Sequence, residues 1–248
     1  MIVFQNFINE VKKFSRANWW VYIIYAVLMV VIFLVQKNEL ASISVFFITS
    51  LHFVADIFIM MMFSAYGRGA NRQGTYYQIM SMLIFMSLKI YTGLSDHQWH
   101  YFAADPIYIL AALKNYRIDI EKSDLKFVNY KTMSVLSLII IFGVLVPGNL
   151  VGTASEWVQT IGIFLFAIAL SVAGNEQLRS EFAVIALIAM VGGSAWEITN
   201  SLIAHKIAGL ALSYFLLPLT VLVFYVKHWP PKKNLNEPVV LSQQAAKA

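Results

Sequence analysis

Eight apolar segments follow one another along the chain, and most are close to the length of a membrane-spanning helix. A lone span needs about 20 apolar residues, so the shorter or more polar segments would have to be sheltered by their neighbours. In one of these, Asp105 precedes Pro106 and is expected to cap a helix that restarts after a kink. The segments cover residues 19–35, 43–66, 76–94, 101–116, 133–150, 157–174, 182–202 and 207–226. This pattern predicts an all-α integral membrane protein with eight transmembrane helices.

The first 18 residues have a different pattern. Phe7 and Phe14 recur at helical spacing, whereas Lys12 lies on the opposite side. This arrangement is typical of an amphipathic helix at the membrane interface. Residues 19–35 lack a small-residue cleavage site after them, so we expect a retained span and not a signal peptide.

The composition agrees with a membrane protein. Hydrophobic residues make up 59% of the chain and charged residues 12%, whereas soluble domains have about 25% charged residues. The chain has no cysteine, which excludes disulfides, thiolate metal ligands and thiol nucleophiles. The formal net charge of +5 comes from basic residues scattered through short loops. This distribution favours a topology signal over nucleic-acid binding.

The basic residues also predict the orientation of the chain. Of the 18 Lys and Arg residues, only Lys37 and Lys206 fall in the predicted loops of one side, and Lys89 lies within a span. All the others fall on the side that carries both termini. The positive-inside rule therefore places both termini in the cytoplasm.

A weak internal repeat relates the two halves of the chain. Lys89 precedes Glu197 by the same interval as His97 precedes His205. Two three-helix units joined by one linking span would share one orientation, which predicts a parallel repeat about an axis along the membrane normal. The predicted organisation is an interfacial helix at 1–18, an extra span at 19–35, a first repeat at 43–116, a loop and linking helix at 117–150, a second repeat at 157–229 and a flexible cytoplasmic tail at 230–248.

The seventh segment carries polar residues at membrane depth. Trp196 and Asn200 are four residues apart and share a helix face, with Glu197 one residue round. A carboxylate there costs about 2.5–3.5 kcal/mol, so Glu197 should face the bundle interior or a wet cavity. An aromatic ring, an amide and a carboxylate suit a flat cationic ligand. The preceding Gly192 and Gly193 would let another helix approach closely or leave room for the ligand.

Lys89 has two interpretations, which are compatible with each other. By the repeat, Lys89 and Glu197 lie at similar depth in facing helices, where they could form a buried ion pair. Alternatively, Glu197 meets the ligand and Lys89 restrains it when the site is empty. Further candidates for the cavity lining, each of which is more often a packing residue, are Tyr91, Thr92, Tyr108 and Tyr214.

Two sets of polar residues that contain histidine are candidates for other chemistry. His52 and Asp56 are four residues apart and could relay protons in a coupled transporter. Polar pairs within membranes also hold helices together, and this structural role is the default. His97, His100 and His205 have no standard zinc-ligand spacing, so no metal site is predicted.

These features resemble the Pnu-type bacterial vitamin transporters, which take up nicotinamide riboside, thiamin and related vitamins. The resemblance covers most of the chain in architecture, as one extra N-terminal span and a three-one-three core. The family pattern Trp-x-x-Trp-x-x-x-Asn on the penultimate span is matched in its second half by Trp196 and Asn200, and Trp229 corresponds to the closing Trp of the last helix. Gly193 replaces the first Trp of the pattern, and Glu197 adjoins the second.

The resemblance implies facilitated diffusion across a bacterial inner membrane, with the vitamin trapped by cytosolic phosphorylation. It implies no cofactor and leaves a homo-oligomer such as a trimer open. The chain contains no Gly-x-x-x-x-Gly-Lys-Ser/Thr phosphate loop. Gly193 and Glu197 favour thiamin, whose aminopyrimidine and thiazolium rings could use a carboxylate, and nicotinamide riboside is the alternative vitamin.

Other classes of protein are less compatible with the sequence. A membrane-embedded enzyme would need a third partner for His52 and Asp56, or for Lys89 and Glu197, and none is evident, so the chain is predicted not to be an enzyme. A retinal protein would carry its lysine on the final span, which has none in its apolar part. A purely structural or assembly subunit is a further alternative.

Overall fold

The computed structural model describes residues 2–36, 41–96, 102–123, 125–172, 176–203 and 209–228. Within these ranges the chain forms nine α-helices and no strand, which confirms the predicted all-α class. The helices are α1 Ile2–Ala17, α2 Trp19–Gln36, α3 Ala41–Gly67, α4 Asn71–Asp96, α5 Asp105–Asp119, α6 Tyr130–Ile140, α7 Ala154–Ser171, α8 Glu176–Ile203 and α9 Gly209–His228. A π-helical stretch, Ile141–Leu145, continues α6. Each of the eight apolar segments overlaps one helix from α2 to α9.

Some residues singled out in the sequence lie outside the described ranges. They are Lys37, His97, His100, His205, Lys206, Trp229 and the tail at 230–248.

Three of the described helices contain stretches long and apolar enough to cross a membrane: Phe46–Gly67, Ala154–Ser171 and Glu181–Asn200. A fourth crossing results if Phe7–Ala17 and Trp19–Val31, which meet at an angle of 78°, form one broken span. The described structure therefore has three to four candidate membrane spans, as expected of an α-helical membrane protein.

The chain bends between α1 and α2, where the amphipathic pattern gives way to an apolar run. Asn18 occupies the junction, and its side-chain Nδ2 donates to the carbonyl oxygen of Phe14 at 3.1 Å. A hydrogen bond of 2.7 Å between the hydroxyls of Ser15 and Tyr22 spans the bend. Phe14 also packs against Phe224 on α9, with ring centroids 5.7 Å apart. These contacts hold α1 across one end of the bundle.

Helices α7 and α8 pack closely because glycines line their contact. A Cβ atom on Gly193 would lie 2.9 Å from the carbonyl oxygen of Ser155 and 2.7 Å from Cγ of Gln159. Gly162 makes a similar close approach from α7 to α8. A Cβ atom on Gly192 would instead meet no atom within 4 Å. Of the two roles predicted for the glycine pair, close helix approach is therefore confirmed at Gly193.

The six helices α3–α5 and α7–α9 pack in a reciprocal arrangement. Within each set, consecutive helices are neighbours. Between the sets, α3 packs against α9 and α5 packs against α7. The first helix of each set thus lies against the last helix of the other, with α6 beside α7 and outside this ring of contacts.

Several basic side chains gather at one end of the bundle, which we call the basic end. Arg68, just after α3, pairs with Glu10 of α1 at 3.3 Å. Lys227, near the end of α9, lies 5.6 Å from the ring centroid of Trp20 at the start of α2. Arg179, near the start of α8, lies over an aromatic ring at the end of α3. The ends of α3 and α9 and the starts of α2 and α8 therefore meet at the same end.

Candidate functional site

A cavity of about 140 Å³ lies inside the bundle. Its described lining comes from α3, α4, α5, α7, α8 and α9, and no residue of α1, α2 or α6 takes part. The cavity therefore lies where the two reciprocal sets of three helices meet.

Two buried carboxylates line the cavity, one from each side of α4. Asp56 on α3 is 6% exposed and Asp105 on α5 is 8% exposed. Within the described chain, no group hydrogen-bonds the carboxylate of Asp56. The described lining contains no Lys or Arg, and its one histidine, His52, lies one helical turn from Asp56. The cavity is thus suited to a cation.

Asp105 has a different place from the one expected from the sequence. The helix begins at Asp105 itself, with Ala104 as the N-cap residue and Pro106 in the first turn. Ala104 offers no side-chain cap, and Asp105 lies on the cavity wall. The position of Pro106 at a helix start agrees with its missing backbone donor.

Aromatic rings and methionines form part of the apolar walls of the cavity, beside aliphatic side chains. The ring of Phe85 lies 5.5 Å from that of His52, and the ring of Tyr108 lies 6.4 Å from that of Phe166. The Tyr108 hydroxyl donates to the carbonyl oxygen of Ile163 at 3.2 Å. The methionines of the lining are Met62, Met82, Met86 and Met190. Aromatic faces and polarizable thioethers accommodate a flat ring, and aromatic faces also attract cations.

Towards the basic end, the cavity meets a hydrogen-bonded group of side chains, which we call the amide cluster: Tyr66, Thr75, Gln78, Asn115 and Asp119. The Tyr66 hydroxyl lies 3.2 Å from both Thr75 Oγ1 and Gln78 Oε1, and Thr75 donates to Asp119. Asn115 Nδ2 donates to Gln78 Oε1 at 2.7 Å. The cluster connects α3, α4 and α5, and of its members only Gln78 is in the described lining of the cavity.

On the other side of the cavity, Gln159 of α7 reaches Glu197 of α8. Gln159 Nε2 donates to Glu197 Oε2 at 2.7 Å. Gln159 is buried and lines the cavity, whereas Glu197 is partly exposed and does not. Glu197 therefore faces α7, and its hydrogen bond to Gln159 connects it to a residue of the cavity lining.

The residues predicted from the sequence have different positions in the structure. Tyr108 lines the cavity. Trp196 is 48% exposed and Asn200 is exposed, and neither is part of the lining. The structure does not describe the side chains of the remaining candidates, which are Lys89, Tyr91, Thr92 and Tyr214.

The sequence did not single out the two glutamines of the cavity, Gln78 and Gln159. Both stand near the start of a predicted apolar segment, and a buried amide needs a partner. This signal was available, although it is weaker than that of a charged side chain. In the part of the chain that the structure describes, no three His, Asp or Glu residues come close enough to hold a metal ion.

The chain matches no known protein family, no curated protein sequence and no solved structure.

Proposed function

We propose that this protein is a membrane transporter for a flat cationic vitamin, with thiamin as the favoured substrate and nicotinamide riboside as the alternative. One observation carries this proposal: a cavity between two sets of three helices has a buried carboxylate, Asp56, with no described hydrogen-bond partner. Burial of a carboxylate is costly unless the carboxylate is paired. A cationic ligand would offset that cost by neutralising the carboxylate of Asp56.

The proposed architecture has eight membrane spans, α2 to α9, with α3–α5 and α7–α9 as parallel repeats. Its support is the reciprocal packing of α3 on α9 and α5 on α7, which two units related by a two-fold axis require. All six helices of the two units also contribute to the cavity. Substrate sites of repeat-built transporters lie at the interface between the repeats.

The proposed location is the inner membrane of a bacterium, with both termini in the cytoplasm. The basic end supports this orientation, because Arg68, Arg179 and Lys227 lie there together with α1. Cytoplasmic loops carry an excess of basic residues. The interfacial helix α1 would then lie on the cytoplasmic surface.

The residues proposed to contact the ligand differ from those that the sequence suggested, which were Trp196 and Asn200. Asp56 and Asp105 supply negative charge, and Phe85, Tyr108 and Phe166 supply rings on which a cationic ring can pack. Trp196 and Asn200 are exposed and do not line this cavity, so a ligand held by them would occupy a different place. Substitution of Trp196 and of Asp56 therefore distinguishes the two sites.

The transport step proposed is facilitated diffusion, in which no chemical bond changes and no cofactor takes part. Cytosolic phosphorylation of the vitamin by a separate enzyme would trap it inside the cell. The cavity lining offers hydrogen bonds, charge and rings, which are sufficient for reversible binding.

Exchange in liposomes tests this function. Liposomes that contain the purified protein and are preloaded with unlabelled thiamin should accumulate external labelled thiamin without a proton or sodium gradient. Nicotinamide riboside is assayed in the same way. Uptake that requires a gradient, and that is lost in His52→Ala, would show a coupled transporter instead. If neither vitamin is exchanged, the proposed substrates are refuted.

A further inference from the structure

The amide cluster leaves one buried donor without a partner at the edge of the cavity. Gln78 is 3% exposed, and its Nε2 atom has no hydrogen-bond partner in the described structure. Its Oε1 atom, by contrast, accepts from both Tyr66 and Asn115. Buried donors are almost always paired, so this exception calls for a function or a ligand.

The neighbouring residues determine which atom of the Gln78 amide has no hydrogen-bond partner. Asn115 Nδ2 lies 3.0 Å from the carbonyl oxygen of Leu170, which can only accept. Asn115 must therefore present its nitrogen there, and the same nitrogen lies 2.7 Å from Gln78. The Gln78 atom that faces Asn115 is consequently the oxygen. The Tyr66 hydroxyl can donate or accept, so Tyr66 does not determine the orientation.

We propose that Gln78 Nε2 is a ligand subsite that accepts only a hydrogen-bond acceptor, such as a hydroxyl oxygen, a carbonyl oxygen or a ring nitrogen. This inference rests on the proposed function, since it specifies a second group of the cationic substrate. Asp56 binds the positive charge, and Gln78 binds the acceptor group at the side of the cavity nearest the basic end. Asn115 is a positioning residue, because it holds the amide with its donor turned away from the cluster.

The cavity therefore places two requirements on a ligand, one from Asp56 and one from Gln78. A ligand must carry a cation or a donor for Asp56 and an acceptor for Gln78. A cation without an acceptor would leave the Gln78 donor unpaired, and sites built to form a hydrogen bond reject analogues that lack the partner. Thiamin and nicotinamide riboside both meet the two requirements, because each combines a cationic ring with hydroxyl oxygens.

Thiamin titration of the full-length protein by calorimetry tests the subsite. Gln78→Met keeps the side-chain length and removes both the donor and the oxygen that accepts from Tyr66 and Asn115, so we expect affinity to fall about tenfold or more, as for a lost hydrogen bond to a buried group. Asn115→Leu leaves Gln78 in place but frees its amide to turn, and we expect a fall of roughly threefold or more. Tyr66→Phe is the matched control, with affinity within about twofold of the parent.

A double variant separates positioning from general damage to the fold. If Asn115 acts through Gln78, the Gln78→Met, Asn115→Leu double variant binds thiamin no more weakly than Gln78→Met alone. If the two losses multiply, Asn115 does not act through Gln78, and that role is refuted. Melting temperatures of all variants show whether each is folded, and Asn115→Leu carries the test if Gln78→Met does not fold.

The outcomes separate the subsite from the proposed function. A parent protein that binds thiamin, together with a Gln78→Met variant that binds it equally well, would overturn the subsite and leave the transporter intact. If the parent does not bind thiamin, the same variants are titrated with nicotinamide riboside. A parent that binds neither vitamin overturns both the function and the subsite.

Discussion

Gln159 and Glu197 are joined by a hydrogen bond of 2.7 Å between Nε2 and Oε2, and this bond links α7 to α8 beside the cavity. Glu197 is the carboxylate that the sequence places at membrane depth. Its partner is an amide that lines the cavity, so the carboxylate orients a cavity residue without lining the cavity itself.

This pair predicts different effects for two substitutions of Glu197. Glu197→Leu removes the acceptor and with it a hydrogen bond between a buried amide and a charged group, which should lower the free energy of unfolding by about 1.5–3 kcal/mol. Glu197→Gln retains a side-chain oxygen that can accept, so its stability should stay closer to that of the parent. Thermal unfolding in detergent measures both. A Glu197→Gln variant as unstable as Glu197→Leu would show that the charge, and not the hydrogen bond, is required.

The glycine pair on α8 predicts opposite effects at neighbouring positions. Gly193→Ala would place a Cβ atom 2.9 Å from the Ser155 carbonyl oxygen, so α7 and α8 must move apart. We expect a loss of about 1–3 kcal/mol, as in other overpacked contacts. Gly192→Ala meets no atom within 4 Å and should be neutral or stabilising by up to about 1 kcal/mol, because alanine favours helix. Equal melting temperatures for the two variants would contradict the close approach at Gly193.

The proposed orientation predicts that both termini are cytoplasmic. Reporters fused separately to the N-terminus and the C-terminus, one active only in the cytoplasm and one only in the periplasm, measure this directly. Both cytoplasmic reporters should be active. A C-terminal reporter that is active only in the periplasm would contradict this orientation. Together with a cytoplasmic N-terminus, it would also exclude an even number of spans and, with it, the eight proposed spans.

The helices could be predicted from the sequence because long apolar runs leave little choice of structure in a membrane. The chain bend near Asn18 also follows from the change of pattern between an amphipathic and an apolar run. The cavity could not be predicted in the same way. Asp56 and Gln78 come together only through the packing of α3 on α4, and their separation in sequence has no helical period.

The candidate site shows the same limit. Trp196 and Asn200 do share one helix face, as their spacing requires, but spacing alone does not show whether a face points into the bundle or outwards. Gly193, three residues before Trp196, is the residue that packs against α7. The four-residue interval therefore predicts that Trp196 and Asn200 share a helix face. It does not determine which way that face points in the bundle.

Thiamin affinity of Asp56→Asn, compared with that of Trp196→Ala, tests most directly whether the cavity is the substrate site. Asp56→Asn keeps the shape of the side chain and removes its charge, so we expect thiamin to bind about tenfold more weakly or worse, which is about 1.4 kcal/mol. Trp196→Ala should bind within about twofold of the parent, since Trp196 lies outside the cavity. Calorimetric titration of the three proteins at one pH gives the result. If Trp196→Ala loses binding and Asp56→Asn retains it, the vitamin binds on the Trp196 face and not in the cavity.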